Sequence, residues 1–174
     1  MKSLKLLFAT GMISLLGLSV AKAEMGVAAI KGTAPDSTIS GTAALVDTPE
    51  GLKVSVNVSN VPPGTHGFHI HEFGSCEDTG KAAGGHYNPM NSPHGMIMKD
   101  GSKKAHAGDL GNIEIGADGT GKLEAVIKGV TLSNGKETVG GRAIILHEKA
   151  DDFGQPVGNA GGRIACGPIV ITGK

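Results

Sequence analysis

Aromatic side chains are scarce in this chain of 174 residues, which contains no tryptophan, one tyrosine and four phenylalanines. Glycine, by contrast, is abundant, with 29 residues. Many glycines and few aromatics are typical of a domain with many tight turns and an aliphatic, β-branched core. No long window shows the 3.6-residue period of an amphipathic helix, so the sequence predicts few helices.

The chain also lacks an excess of charge of either sign. Lysine and arginine together number 16, as do aspartate and glutamate, so the formal net charge is zero. A nucleic-acid partner would normally require a basic excess, and none is predicted.

Long apolar runs are absent except near the N-terminus. There, two lysines precede an uncharged apolar run over residues 6–20, and Ala21-Lys22-Ala23 matches the small-x-small pattern of a signal-peptidase site. Because the run is too short for a convincing membrane anchor, we predict a cleaved signal peptide over residues 1–23. An uncleaved anchor is the alternative. The exported region, residues 24–174, has 13 basic and 16 acidic residues and no predicted membrane attachment.

The exported region is predicted to form one β-rich domain. It is long enough for one domain with a real core and too short for two, and it contains no repeat or linker. Apolar and polar residues alternate over residues 52–58, 113–115 and 122–128, between turn signals such as Asn134-Gly135. Residues 142–146 and 164–171 are more continuously apolar than these segments, which predicts strands covered on both faces. Short, regularly spaced strands favour a sandwich or barrel.

Only two cysteines are present, Cys76 and Cys166. Export would place them where a disulfide persists. A bond between them would close a loop of about 90 residues, which the chain-entropy model values at roughly 4 kcal/mol. A pair of buried free thiols is the alternative.

Seven histidines are present, and two of them form an H-x-H pair, His69 and His71. Residues two apart on a strand project from the same face, so both imidazoles can reach one metal ion. The same alternation directs His66, Phe68 and Ile70 into the core. An isolated H-x-H is a weak signal for a metal site.

Two segments show no strand pattern, residues 72–109 and 148–162. The first contains His86, His94 and His106, followed by Asp109, and three imidazoles with one carboxylate make a tetrahedral zinc set. Long loops in small domains are usually functional. Each histidine alone could be solvated, but together they favour a metal site.

Five segments resemble the copper-zinc superoxide dismutases, occur in the family's order and span nearly all of the exported region. They are Gly67-Phe68-His69-Ile70-His71-Glu72, Gly85-His86-Tyr87-Asn88-Pro89, Gly108-Asp109-Leu110-Gly111, His147-Glu148-Lys149-Ala150-Asp151-Asp152 and Gly158-Asn159-Ala160-Gly161-Gly162-Arg163-Ile164-Ala165-Cys166-Gly167. The resemblance implies an all-β Greek-key barrel or sandwich with long metal-binding loops. It also implies an oxidoreductase that converts superoxide into oxygen and hydrogen peroxide.

The resemblance further implies two metal ions that share one ligand. The residues that would bind copper are His69, His71, His86 and His147. The residues that would bind zinc are His86, His94, His106 and Asp109. His86 would bridge the metals as an imidazolate and carry a proton in each cycle. Imidazole suits both metals, and zinc has no redox chemistry, so only copper would change oxidation state.

Two further residues receive roles from the resemblance. Asp151 would hydrogen-bond to His69 and His94 and so fix both rings; a loop cap is the alternative. Arg163 would stand at the channel mouth and orient the superoxide anion, with a surface arginine as the alternative. His66 aligns with a family histidine that is not a ligand and is excluded from the site.

Three departures from the common eukaryotic pattern are visible. Four residues separate His71 from Cys76, a spacing similar to the bacterial periplasmic branch, which predicts a periplasmic protein. The segment 151–163 is short and lacks a mixed charged run. The segment 94–106 is longer and contains Lys99, Lys103 and Lys104. We hypothesise that these lysines steer superoxide towards the site; the alternative is that they only solvate a surface loop.

The sequence is also compatible with two rival functions. An exported metal store with this fold would keep the ligands but would not need Arg163. A structural or adhesive β-sandwich would have incidental histidines, which conflicts with six of the seven occupying ligand positions. The resemblance is compatible with either a monomer or a homodimer.

Overall fold

A computed structural model describes residues 23–173 of the chain. The predicted signal peptide therefore lies, except for Ala23, outside the described residues. The strands are β1 (Met25–Gly32), β2 (Ser40–Thr48), β3 (Gly51–Ser59), β4 (Gly64–His71), β5 (Asp109–Ile115), β6 (Gly121–Ile127), β7 (Val130–Thr131), β8 (Glu137–Thr138), β9 (Ala143–His147) and β10 (Arg163–Gly173). One helical turn, α1 (Ile97–Asp100), and one 3₁₀ turn, Lys81–Ala83, interrupt the first long loop. In the part of the chain from 23 to 173, no helix is long and apolar enough to span a membrane.

Eight of the strands close an antiparallel barrel in the order β1-β10-β9-β4-β5-β6-β3-β2. Strands β1, β2 and β3 follow one another as hairpins, after which the chain crosses over to β4. Strand β6 returns to pair with β3, and β9 and β10 fill the gap between β4 and β1. This connectivity confirms the prediction of an all-β Greek-key barrel.

The alternating pattern of β3 shows why the barrel closes. Leu52, Val54, Val56 and Val58 point inward and are at most 2% exposed, while the intervening lysine and asparagine are exposed. Their inward faces join one aliphatic core that includes Phe68, Ile70, Ile113, Ile144 and Leu146. Burial of each such side chain contributes about 1.5–3 kcal/mol, so the core is the main stabilising element.

The two continuously apolar segments behave differently. Strand β9 is buried on both faces, as predicted, because Ala143 and Ile145 pack outward under the first long loop. For β10 the prediction is wrong over its second half, where Val170 is 58% and Ile171 40% exposed. The reason is that the loop covers β10 only around Cys166, and beyond it the outer face of the strand is open.

Both long segments without a strand pattern are loops, as predicted, over residues 72–108 and 148–162. The first is joined to β10 by a disulfide between Cys76 and Cys166. The disulfide, rather than two free thiols, is therefore the correct alternative. Both loops lie at the same side of the barrel, over the outer faces of β4 and β9.

Candidate metal centre

Strand β4 lies between β5 and β9, and this order brings most of the predicted ligands together. In register, His69 lies opposite Asp109 on one side and Ile145 on the other. His147 is the last residue of β9, beside the same strand. The H-x-H pair projects outward under the loops, while Phe68 and Ile70 point into the core, as the alternation predicts.

The first long loop is docked on β4 by backbone hydrogen bonds. Tyr87 donates its N–H to Ile70 O at 2.9 Å, and Ile70 donates its own N–H to Gly108 O at 2.9 Å. A Cβ atom at Gly108 would lie 2.1 Å from Ile70 O, so only glycine allows this approach. The docking places His86 beside His71, with which it forms an isolated β-bridge.

The predicted copper ligands form one buried group, whose ligand atoms lie within 4.8 Å of one another: His69, His71, His86 and His147. His71 donates its Nδ1–H to Gly84 O at 3.0 Å, and His147 donates its Nδ1–H to Gly161 O at 3.4 Å. Each therefore has an unprotonated Nε2, and these two nitrogens face each other at 3.3 Å.

His69 completes the same group with its other nitrogen. Its Nε2–H donates to Asp151 Oδ2 at 2.9 Å, so Nδ1 is an acceptor. That Nδ1 is buried and has no hydrogen-bond partner among the described residues. Buried acceptors without a partner are rare, and several converging imidazole lone pairs are a donor set that suits copper. The residues present therefore fit copper.

The predicted zinc ligands form a second buried group, again with ligand atoms within 4.8 Å: His86, His94, His106 and Asp109. The Nδ1 atoms of all three histidines lie 2.9–3.0 Å from the Asp109 carboxylate. Asp109 also accepts backbone N–H groups from Gly95 and His106. Three imidazoles and one carboxylate in a closed arrangement fit zinc. His86 belongs to both groups.

The two groups differ in the charge that they favour. Burial lowers the pKa of His71 to about 2 and, with the neighbouring His69, lowers that of His147 to about 3, so both are neutral at pH 7. At His94, burial acts in the same direction, but hydrogen bonds to Asp109 and Asp151 raise the pKa to about 9. The copper group thus presents neutral ligands, and the zinc group favours a positive charge.

Two carboxylates, Asp109 and Asp151, supply the negative charge that favours a positive charge at the zinc group. Burial by itself would raise the pKa of Asp109, but hydrogen bonds from His106, His86 and His94 hold it well below its usual range. For Asp151 burial acts in the same direction, and hydrogen bonds from His69 and His94 lower the pKa below its usual value. Both carboxylates are therefore ionised at neutral pH.

Asp151 connects the two groups through hydrogen bonds. Its carboxylate accepts from Nε2 of His69 at 2.9 Å and from Nε2 of His94 at 2.9 Å. The backbone of Asp151 is held in turn by Asn112, whose side chain accepts its N–H at 2.7 Å and donates to its carbonyl at 2.9 Å. Asn112 was not singled out in the sequence, although it directly follows the Gly108–Gly111 motif.

His66 lies outside both groups and is 4% exposed. Its Nδ1 is 2.8 Å from His147 O, and its Nε2 is 2.9 Å from Pro62 O. The structure therefore places His66 behind the copper group, where it supports the backbone of His147. This agrees with its exclusion from the ligands.

A cavity of about 560 Å³ opens onto the copper group. Its wall includes His71, His86, His147, Lys149 and Arg163. Arg163 is fixed there, because Nη1 donates to Gly80 O at 2.5 Å and Nη2 donates to Gly84 O at 2.6 Å. Lys149 was not predicted from the sequence as a site residue, although it lies within a segment that resembles the family.

Lys99, Lys103 and Lys104, which the sequence suggested as steering residues, lie away from this cavity. All are exposed, and Lys99 lines a different depression together with His94 and Phe153. None of the three is among the residues described as lining the copper cavity.

Comparisons with known proteins agree with this geometry. A family model described as copper/zinc superoxide dismutase (SODC) matches residues 39–169. The crystal structure of the clock protein EA4 is similar with a TM-score of 0.76 and 32% sequence identity, over 88% of this chain and 98% of that chain. A match over most of the chain and two ligand groups that fit copper and zinc lead to one conclusion. The chain belongs to the copper/zinc superoxide dismutase family, whose members are oxidoreductases that dismute superoxide.

Proposed function

We propose that this chain is an exported, periplasmic superoxide dismutase in which Arg163, Lys149, Asp151 and His86 serve the copper–zinc centre. The single observation that supports this best is the shared His86, which joins the zinc group to a copper group that lines a cavity together with Arg163. Access from a cavity is typical of a catalytic metal, whereas a full set of protein ligands around zinc is typical of a structural one.

Bound copper supplies a reversible one-electron couple, so that one superoxide loses an electron to give oxygen and a second gains one to give peroxide. The protein's own contribution begins with neutral imidazoles. His71 and His147 need to lose no proton before they bind a metal at neutral pH, because burial lowers the pKa of both. The peroxide product requires two protons, which the site and solvent must deliver.

His86 is suited to deliver one of these protons. Its Nδ1 faces the zinc group near Asp109, and its ring also lines the cavity that superoxide would enter. The ring nitrogen on the copper side can therefore take up a proton and release it to a bound anion within hydrogen-bond reach. Burial lowers the pKa of His86, which favours release of the proton.

Arg163 is suited to bind the substrate anion. It lines the cavity with His71 and His147, and two backbone carbonyls hold its guanidinium in place. A fixed, permanently charged donor attracts an anion without a large loss of side-chain entropy on binding. Asp151 complements this by holding Nε2 of both His69 and His94, so that the Nδ1 of each would be the atom that binds the metal of its own group.

Export to the periplasm is supported by three observations. The N-terminal segment over residues 1–23 has the charge and apolar pattern of a signal peptide. A disulfide links Cys76 and Cys166, and disulfides persist in oxidising compartments. The short spacing from His71 to Cys76 is similar to the bacterial periplasmic branch.

The proposal is tested on protein isolated from the producing cell. We expect one copper and one zinc per chain, rapid loss of superoxide in a decay assay, an N-terminus at Glu24 and recovery with the periplasmic fraction. Full metal content with no superoxide decay would instead support an exported metal store. A cytoplasmic, unprocessed chain would contradict the export proposal without affecting the enzymatic one.

Substrate steering gives a prediction that separates two sets of lysines. We expect Lys149→Ser to be slower than the wild type at low salt with a flatter dependence on ionic strength, because Lys149 lines the cavity. Screening acts over about 10 Å at 0.1 M salt, so a nearby charge loses its effect as salt rises. The triple replacement of Lys99, Lys103 and Lys104 by serine tests the sequence-based steering hypothesis in the same assay.

Both proteins are compared at equal, measured metal content. Equal rates and salt slopes for Lys149→Ser and the wild type would contradict the role of Lys149. A slower reaction in the triple variant, with a flatter dependence on ionic strength, would show that Lys99, Lys103 and Lys104 steer superoxide instead.

A further inference from the structure

The two long loops meet at zinc-group residue His94, whose backbone is held by the side chain of Gln155. Gln155 Nε2 donates to His94 O at 2.8 Å, and His94 donates its N–H to Gln155 Oε1 at 3.0 Å. One amide thus satisfies both backbone polar groups of His94, as a neighbouring β-strand would. Gln155 is the only glutamine in the chain and belongs to neither ligand group.

The same segment of the second loop also holds the ring of His94. Asp151 accepts its Nε2–H at 2.9 Å, and Phe153 stacks on the ring with centroids 6.3 Å apart and an interplanar angle of 22°. Residues 151–155 therefore hold His94 by backbone and ring together. The other ring nitrogen of His94, Nδ1, lies 2.9 Å from Asp109 Oδ2. A ligand oriented in this way needs little rearrangement to bind a metal.

Gln155 also forms part of the wall of a second crevice, of about 450 Å³. This crevice is lined by zinc-group residues His86 and His106 and by the polar side chains Asn88 and Ser92. His69, His71, His147 and Arg163 do not belong to it. His86 and Val157 line both cavities, so the second crevice lies beside the first, and Gln155 belongs to the wall of the second alone.

We propose that Gln155 is a positioning residue for zinc: by holding both backbone groups of His94, it sets how tightly the zinc group retains its metal. The proposal rests on zinc binding by the group that contains His94. Loss of the amide would free the backbone of His94 and leave buried polar groups without partners. The chain should still retain copper, since His94 is not one of the copper ligands.

The test compares zinc affinity in Gln155→Met and wild-type holoenzyme, by competition with a chromophoric zinc chelator. Methionine has a similar length and removes both hydrogen bonds. Outer partners of metal ligands are typically worth 10–100-fold in metal affinity, so we expect about tenfold weaker zinc binding with unchanged copper content. Gln155→Glu retains the acceptor for His94 N–H and loses the donor to His94 O. Its zinc affinity should therefore fall between those of Gln155→Met and the wild type.

A spectroscopic signature separates positioning from a general loss of stability. With Co²⁺ in place of zinc, we expect the visible absorption bands of Gln155→Met to shift from those of the wild type, because the ligand geometry around the metal changes. Asn57→Met is the matched control, since Asn57 is an exposed amide on the outer face of β3. It should leave both zinc affinity and the cobalt spectrum unchanged.

Equal zinc affinity and identical cobalt spectra in Gln155→Met and the wild type would overturn this inference. Equal weakening by Asn57→Met would overturn it as well, because the effect would not depend on His94. A wild-type protein that binds no zinc would refute the proposed function instead, so the two failures are distinguishable.

Discussion

A His147→Ala protein should fold and keep its zinc, but lose copper and with it superoxide dismutase activity. His147 is the last residue of β9 and lines the cavity, so its removal enlarges an existing opening rather than the barrel core. It belongs to the copper group and not to the zinc group. Outer partners of metal ligands alone are worth 10–100-fold, so loss of a ligand itself should lower activity by more than about 100-fold.

The measurements are copper and zinc content, circular dichroism and the superoxide decay rate. His69→Ala should give the same loss of activity. His66→Gln is the matched control, because His66 is the one histidine outside both groups and its loss should reduce stability without removing copper. Near-wild-type turnover by a folded His147→Ala protein of known metal content would refute the copper assignment.

Loss of the disulfide is expected to have the largest effect on stability. Replacing Cys76 and Cys166 together by alanine opens a loop with a sequence separation of 90 residues. The chain-entropy model predicts a loss of roughly 4 kcal/mol in the free energy of unfolding. Urea unfolding of the metal-free proteins measures this directly, because bound metal would otherwise add its own binding free energy.

The same change should lower activity in part, and less than His147→Ala does. Cys76 anchors the loop whose carbonyls at Gly80 and Gly84 hold the guanidinium of Arg163. Once that loop is free, the anion-binding charge loses its fixed position. Unchanged activity together with lowered stability would show that Arg163 does not depend on the disulfide. Unchanged stability would contradict the entropic argument itself.

Much of the barrel could be predicted from the local alternation of apolar and polar residues. The alternation at residues 52–58 identifies the inward face of β3, and the parity of the H-x-H pair separates His69 and His71 from Phe68 and Ile70. The ligand positions could be named because they lie in short motifs that resemble a family. Local pattern failed at β10, whose apolar outer face is open after Cys166, because coverage depends on a distant loop.

The sequence by itself determined the all-β class, because alternation is a property of neighbouring residues, and its short motifs determined the candidate ligands through their resemblance to a family. Only the tertiary structure decided which loop residues meet. The carbonyls that hold Arg163, the place of Lys149 in the cavity and the Gln155 amide on His94 are contacts between segments far apart in the chain. No periodicity encodes such contacts; they exist because β9 closes the barrel beside β4 and brings both loops to one side.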